Sequence, residues 1–172
     1  MNISNLEQTE YPIYYQNYLN MVSKETDLLV GFKDNSNTVL DFFESLPSEK
    51  LTSAYAEGKW TVKEVFQHLI DTERVFQYRC FCIARRDKNA LPGFDENAYV
   101  PASKASLKSI ESLIEEFKAV RHSFLVLLNS LNEEDLKVVG NVNGNAMSSR
   151  AAAFIVLGHY MWHLNIIKEC YL

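Results

Sequence analysis

Apolar residues recur at the helical period in four long segments of this chain, and the polar and breaking residues between them are gathered into connections. The first segment carries Leu28, Leu29, Phe32, Val39, Leu40, Phe43 and Leu46, with Ser23 available as a cap and Pro47 as a stop. In the second, Thr61 and Glu64 form a capping box just after Trp60, and the helix they open is expected to run to about Arg86. Its apolar stripe is Val65, Leu69, Phe76 and Ile83. The third segment, from about Ser106 to Leu131, places Leu107, Ile110, Leu113, Phe117, Val120, Phe124, Leu128 and Leu131 on one inner face. A fourth begins at Ser148 or Ser149 and runs to the end. Its stretch Ala151 to Leu157 is apolar on every side, which predicts burial all round.

The connections are uneven. Residues 1–22 carry Pro12 and four tyrosines, Tyr11, Tyr14, Tyr15 and Tyr18. They read as an arm that packs across the helices or lines the mouth of a pocket, since aromatic side chains bury large areas wherever they find a groove. Residues 87–103, with Leu91-Pro92-Gly93-Phe94-Asp95-Glu96 and Pro101, are too rich in breakers for regular structure and too long for a tight turn, so a long loop is expected there, placed to cover a site. Asn132 to Leu136 reads as a capped helical turn, and Asn143-Gly144 marks a small hairpin between Val138 and Met147. Four long amphipathic helices with almost no β-branched alternation predict an all-α four-helix bundle, one domain spanning residues 1–172.

Charge narrows the function classes. The 17 basic and 22 acidic residues leave a net charge of −5, and no Lys/Arg cluster exceeds Arg85-Arg86, so no nucleic-acid footprint is visible. The run from Ala151 to Leu157 is far too short for a bilayer, and the N-terminus has neither a basic nor an apolar targeting region. No membrane contact and a cytoplasmic location are expected. Cys80, Cys82 and Cys170 are odd in number and lack a Cys-x-x-Cys spacing, which predicts reduced thiols buried as small hydrophobes.

Four histidines remain: His68, His122, His159 and His163. His159 and His163, four residues apart on the most apolar helix, project within about 40° of each other and point at the same spot. Two buried imidazoles need partners, and a metal ion would use both. Transition-metal sites commonly draw three or more protein ligands, and His68, bordering the core of the second helix, is the candidate third. His122, between Arg121 and Ser123 and off the apolar stripe, reads as a surface or hydrogen-bonded residue. Asp71, three residues beyond His68, either orients the His68 ring or is simply solvated. Thr72 and Arg79 share the His68 face. For Arg79, an ion pair with a carboxylate and an anion-binding role both fit.

Gly58-Lys59-Trp60, His68-Leu69-Ile70-Asp71-Thr72-Glu73-Arg74 through Tyr78-Arg79, Leu91-Pro92-Gly93-Phe94-Asp95-Glu96, and Gly158-His159 to His163 with Ile166-Ile167-Lys168-Glu169 together make the chain resemble the DinB-like (YfiT-like) metal-binding four-helix-bundle family. In that family one His early in the second helix and a His-x-x-x-His pair on the fourth bind a metal, which the resemblance carries onto His68, His159 and His163. Trp162 and Cys170 depart from the usual pattern, where a second His and a basic residue are common. The resemblance implies a divalent transition metal, nickel or zinc, and a metal-dependent S-transferase using a low-molecular-weight thiol such as bacillithiol, mycothiol or glutathione in detoxification or stress response. It implies a small-molecule thiol and electrophile as partners and a homodimer; under the transferase reading Trp60, Tyr78 and Arg79 are the candidate substrate contacts. A metal-dependent hydrolase, or a non-catalytic bundle with a structural metal, are the competing readings.

Overall fold

The computed structural model describes residues 1–172. Four long helices, α2 (Leu28–Ser45), α4 (Val62–Ala84), α6 (Ile110–Asn129) and α8 (Ser149–Cys170), form the bundle expected. Their pairing closes a ring: α4 packs on α8 and α6, and α2 packs on the same two. Helices consecutive in the chain, α2 with α4 and α6 with α8, therefore face each other across the diagonal. Side chains meet in the middle, where Phe43 of α2 stacks on Phe66 of α4 with centroids 3.7 Å apart, and Phe117 of α6 approaches Tyr160 of α8 at 5.6 Å.

Capping chemistry sets the helix ends. Thr61 and Glu64 make the predicted reciprocal box at the start of α4, and the Ser148 hydroxyl accepts from the Ala151 amide at the start of α8. The first long helix begins later than the periodicity suggested. Asp27, not Ser23, caps it by accepting from Leu29 and Val30, while also holding the N-terminal ammonium at 2.6 Å. The third begins at Ile110 under a Ser109 cap, which leaves Leu107 outside it and 82% exposed. Asp27 stands immediately before the free amides of the first turn, which Ser23 is too far back to reach, and its charge complements the helix dipole.

The breaker-rich connection is not irregular throughout. Residues Glu96–Ser103 form α5, capped by Asp95 and packed against α4, with Pro101 tolerated near its end. The rest is stitched to the hairpin β1 (Val139–Val142) and β2 (Asn145–Ser148): the Leu91 amide donates to the Asn141 carbonyl, and the Leu91 carbonyl accepts from the Asn143 amide. Gly144 takes φ +79° at the predicted turn, a conformation glycine adopts without cost. Smaller pieces complete the chain: α1 (Gln16–Leu19), α3 (Ser48–Leu51) and α7 (Glu133–Lys137), the last capped by Asn132 as expected.

One hydrophobic core runs through the bundle, and every residue from Ala151 to Tyr160 is buried in it. Within this apolar interior Arg121 donates to both carboxylate oxygens of Glu73, at 2.7 and 3.1 Å, and to the Phe32 carbonyl and Asn35 Oδ1. A second buried pair, Arg150 with Glu10, ties the N-terminal arm to α8. Cys80 and Cys82 are buried as predicted, but Cys170 is exposed because the C-terminal end of α8 runs out of the core. No helix is long and apolar enough to cross a membrane.

Candidate metal centre

Helices α4 and α8 form the most extensive helix contact of the fold, and the three histidines sit in it. His68 comes from the second turn of α4, and His159 and His163 from consecutive turns of α8. The imidazoles converge: His68 Nε2 lies 3.1 Å from His159 Nε2, ring centroids are 4.6 to 5.0 Å apart, and one ligand atom from each falls within 4.8 Å of the others. His122, by contrast, is exposed on α6.

Burial sets the charge state of these rings. It pushes His68 down to about 3 and His163 to about 4, and lowers His159 well below its ordinary value, with the neighbouring imidazoles adding to the shift at His68 and His159. At neutral pH all three rings are uncharged and keep a lone pair free for coordination. The protein does not satisfy them. Nδ1 of His159 is buried without a hydrogen-bond partner, and the one polar contact of His68 is the facing nitrogen of His159.

A tetrahedral ion with bonds of about 2.0–2.1 Å to imidazole nitrogen holds its ligands about 3.3 Å apart. The 3.1 Å edge between His68 and His159 matches that spacing and the His163 ligand atom lies within 4.8 Å of both, so three neutral imidazoles converge as a donor set suited to a divalent transition metal.

The triad does not lie in a closed core. It forms one wall of a cavity of about 430 Å³. Aromatic side chains frame it: the Trp60 indole sits 4.9 Å from the His68 ring, and Tyr18 meets His159 edge-on at 5.1 Å. Tyr14, Tyr15 and Tyr18 of the arm also line it, so the arm both packs across the bundle and shapes the cavity mouth. Thr72, Phe76 and Arg79 continue the wall along α4, and Gly93, Phe94 and Glu96 cover it from the connection expected to do so. Asn143, Asn145 and Met147 come from the hairpin, which the sequence marked as a turn but not as part of the cavity. A larger open groove of about 660 Å³ between α2 and α6 contains no histidine or cysteine.

Two candidates stand elsewhere. Asp71 Oδ1 accepts from Gln67 and Arg74 and makes no hydrogen bond to His68. A three-residue step turns about 60° away on a helix, and there the carboxylate meets the charged side chains between α4 and α6. Tyr78 is 55% exposed and lies outside the cavity, whereas Trp60 and Arg79 line it.

With this geometry in view, similarity to known proteins is informative. A candidate metal-dependent hydrolase of Bacillus cereus (strain AH820) is 26% identical over 161 residues, covering 92% of this chain and 90% of that one. A Bacillus mycoides protein of the same description is 25% identical over the same span. Among solved structures, YfiT from Bacillus subtilis, described as a candidate metal-dependent hydrolase with an unusual four-helix-bundle topology, superimposes with a TM-score of 0.74 at 15% identity, covering 96% of this chain and 90% of that one. The DinB superfamily model matches residues 32–167, and the chain belongs to that superfamily.

Proposed function

We propose that this chain is a metal-dependent enzyme acting on a small molecule in the cavity beside His68, His159 and His163, with thiol S-transfer as its reaction. The observation that carries this reading is the placement of three converging imidazoles on a cavity wall, because three protein ligands would hold an ion there and leave coordination capacity for a small molecule in the cavity. A divalent ion there, nickel or zinc, supplies Lewis acidity and lowers the pKa of a thiol or water brought to its open side. The chain's own residues prepare that position. Burial keeps the rings neutral, while Trp60 and Tyr18 pack against them and keep bulk water off two sides.

The choice of thiol over water follows from the proton. A thiol is acidic enough to lose its proton at such a site without a protein base, whereas hydrolysis benefits from a positioned carboxylate. Asp71, the acidic residue on α4 nearest the triad in sequence, is engaged with Arg74 and Gln67. A low-molecular-weight thiol such as bacillithiol, with an electrophile as acceptor, therefore suits the site, in a homodimer serving detoxification or stress response. A metal-dependent hydrolase is the second reading. It is favoured by the descriptions of the Bacillus relatives and by Glu96, a carboxylate on the cavity wall available as a general base.

Elemental analysis of wild type, His159→Ala and His122→Ala tests the centre. Near-stoichiometric metal is expected in the wild type and His122→Ala, and none in His159→Ala. Loss in both variants, or in neither, would rule out the triad. Turnover of a thiol with a model electrophile should vanish on chelation. Metal-dependent ester hydrolysis with no thiol response would transfer the assignment to the second reading.

A further inference from the structure

Arg79 is a buried cation without a counter-charge. It lies eleven residues beyond His68 on α4, a step that returns to within about 20° of the same helix face and about 16 Å farther along the axis. Its side chain is 3% exposed. Nη2 donates to the Pro92 carbonyl at 3.0 Å, but Nε and Nη1 are buried with no hydrogen-bond partner. The Phe76 and Phe94 rings lie 4.8 and 5.6 Å from the guanidinium carbon, offering π faces and no acceptor. The Tyr15 phenol lies close enough that the Arg79 charge and a weak side-chain hydrogen bond offset part of the upward push of its burial, yet Nε and Nη1 are left without a well-formed partner. Glu96 lines the same cavity without pairing with Arg79. The other two buried guanidiniums, Arg121 and Arg150, are each matched to a glutamate.

Desolvating a guanidinium and leaving two of its nitrogens unpaired is expensive, and such groups are found where a ligand completes them. A second unsatisfied group lies on the way. Thr72 Oγ1, one turn beyond His68 on the same face, is also buried without a partner and lines the same cavity. The cavity thus runs from three imidazoles at one end to an unpaired guanidinium at the other.

We propose that the cavity takes a small molecule bearing a carboxylate, held at Nε and Nη1 of Arg79, with Thr72 contacting its middle and its reacting group at the histidines. The assignment rests on reading this cavity as the substrate site. Because the Arg side chain leans back toward the helix N-terminus, the two ends are roughly 10 Å apart. A carboxylate is favoured over a phosphate because Arg79 is the one cation among the lining residues and Glu96 already places a negative charge there, so a singly charged group is accommodated more readily than a doubly charged one.

The Nε–H of a buried arginine gives its own nitrogen-15 NMR signal, so the site can be read directly in the full chain. Addition of 4-phenylbutyrate should move the Arg79 signal, and the uncharged 4-phenylbutyramide should not. By calorimetry, Arg79→Met should weaken binding of the acid about tenfold or more while leaving the amide unchanged, with Arg79→Lys intermediate. Should Arg79→Met fail to fold, the wild-type NMR titration and Arg79→Lys carry the test. Equal binding of acid and amide, or an acid preference that survives in Arg79→Met, would overturn the proposal. So would a response to inorganic phosphate without one to the carboxylate. Titrating metal-loaded and chelated protein separates the two assignments. Discrimination in chelated protein belongs to Arg79 alone and stands even if the metal reading fails. Acid binding that needs metal and ignores Arg79→Met puts the carboxylate on the ion instead.

Discussion

Among single residues, the core pair Glu73 and Arg121 shows how strongly one charge depends on another. Both are essentially excluded from solvent, and the Arg121 guanidinium lies 4.9 to 5.0 Å from the rings of Phe32, Phe117 and Tyr160. Removing one member strands the other in an apolar medium. Glu73→Leu is expected to destabilise the fold by about 3–5 kcal/mol in a urea melt, and adding Arg121→Met should recover most of that loss. A double variant no more stable than the single one would show that the pair contributes beyond its own compensation. The signal for this pair was present in the sequence. Arg121 falls on the stripe of Phe117, Phe124 and Leu128, and Glu73 on that of Leu69, Phe76 and Cys80, so opposite charges occupied two core-facing positions. His122, next to Arg121 in the chain, falls off that stripe and is exposed.

Between elements, the decisive contact is that of α1 with α8. Gly158 lies under the backbone of Tyr18, and a Cβ there would meet the Tyr18 carbonyl oxygen at 1.9 Å and its carbon at 2.4 Å. Because the neighbour is backbone, it cannot rotate aside; the arm must move. Gly158→Ala is expected to cost about 1–3 kcal/mol and to open residues 1–22 to limited proteolysis. The same shift withdraws Tyr18 from His159, so metal should bind more weakly. A variant with wild-type melting and cleavage would mean that the arm adjusts without penalty.

The whole molecule responds to acid through carboxylates that are paired on folding. Burial alone would raise Glu116, but hydrogen bonds from Lys108, Gln67 and Arg74, with the Arg74 charge, hold it at about 2 against an ordinary value of 4.5. A carboxyl with a depressed folded pKa contributes stability that is complete above the unfolded value and is lost as pH falls through the folded one. The Glu116 contribution is therefore full above pH 4.5 and disappears toward pH 2. Melting of wild type and Glu116→Gln across that window should show a gap at pH 6 that closes on acidification. A gap independent of pH would remove the link between α4 and α6 as its cause.

Periodicity and capping determined the four helices, the hairpin and the helix that carries two of the three histidines, because those signals are local and repeat every turn. His68 borders the apolar stripe of its helix, which with the family motifs groups it with the other two in the sequence itself. The tertiary structure decided what local pattern does not encode. It set which helices adjoin, with α4 against α8 and α6, and the pairs α2–α4 and α6–α8 on the diagonals. It chose Asp27 over Ser23 as a cap, drew Asp71 away to Arg74, and turned a breaker-rich connection partly into α5. It also left Arg79 buried beside Phe76 and Phe94 without an ion pair, although Glu96 lines the same cavity. Whether a charge finds a partner depends on side chains that arrive from distant segments, and only packing specifies which ones arrive.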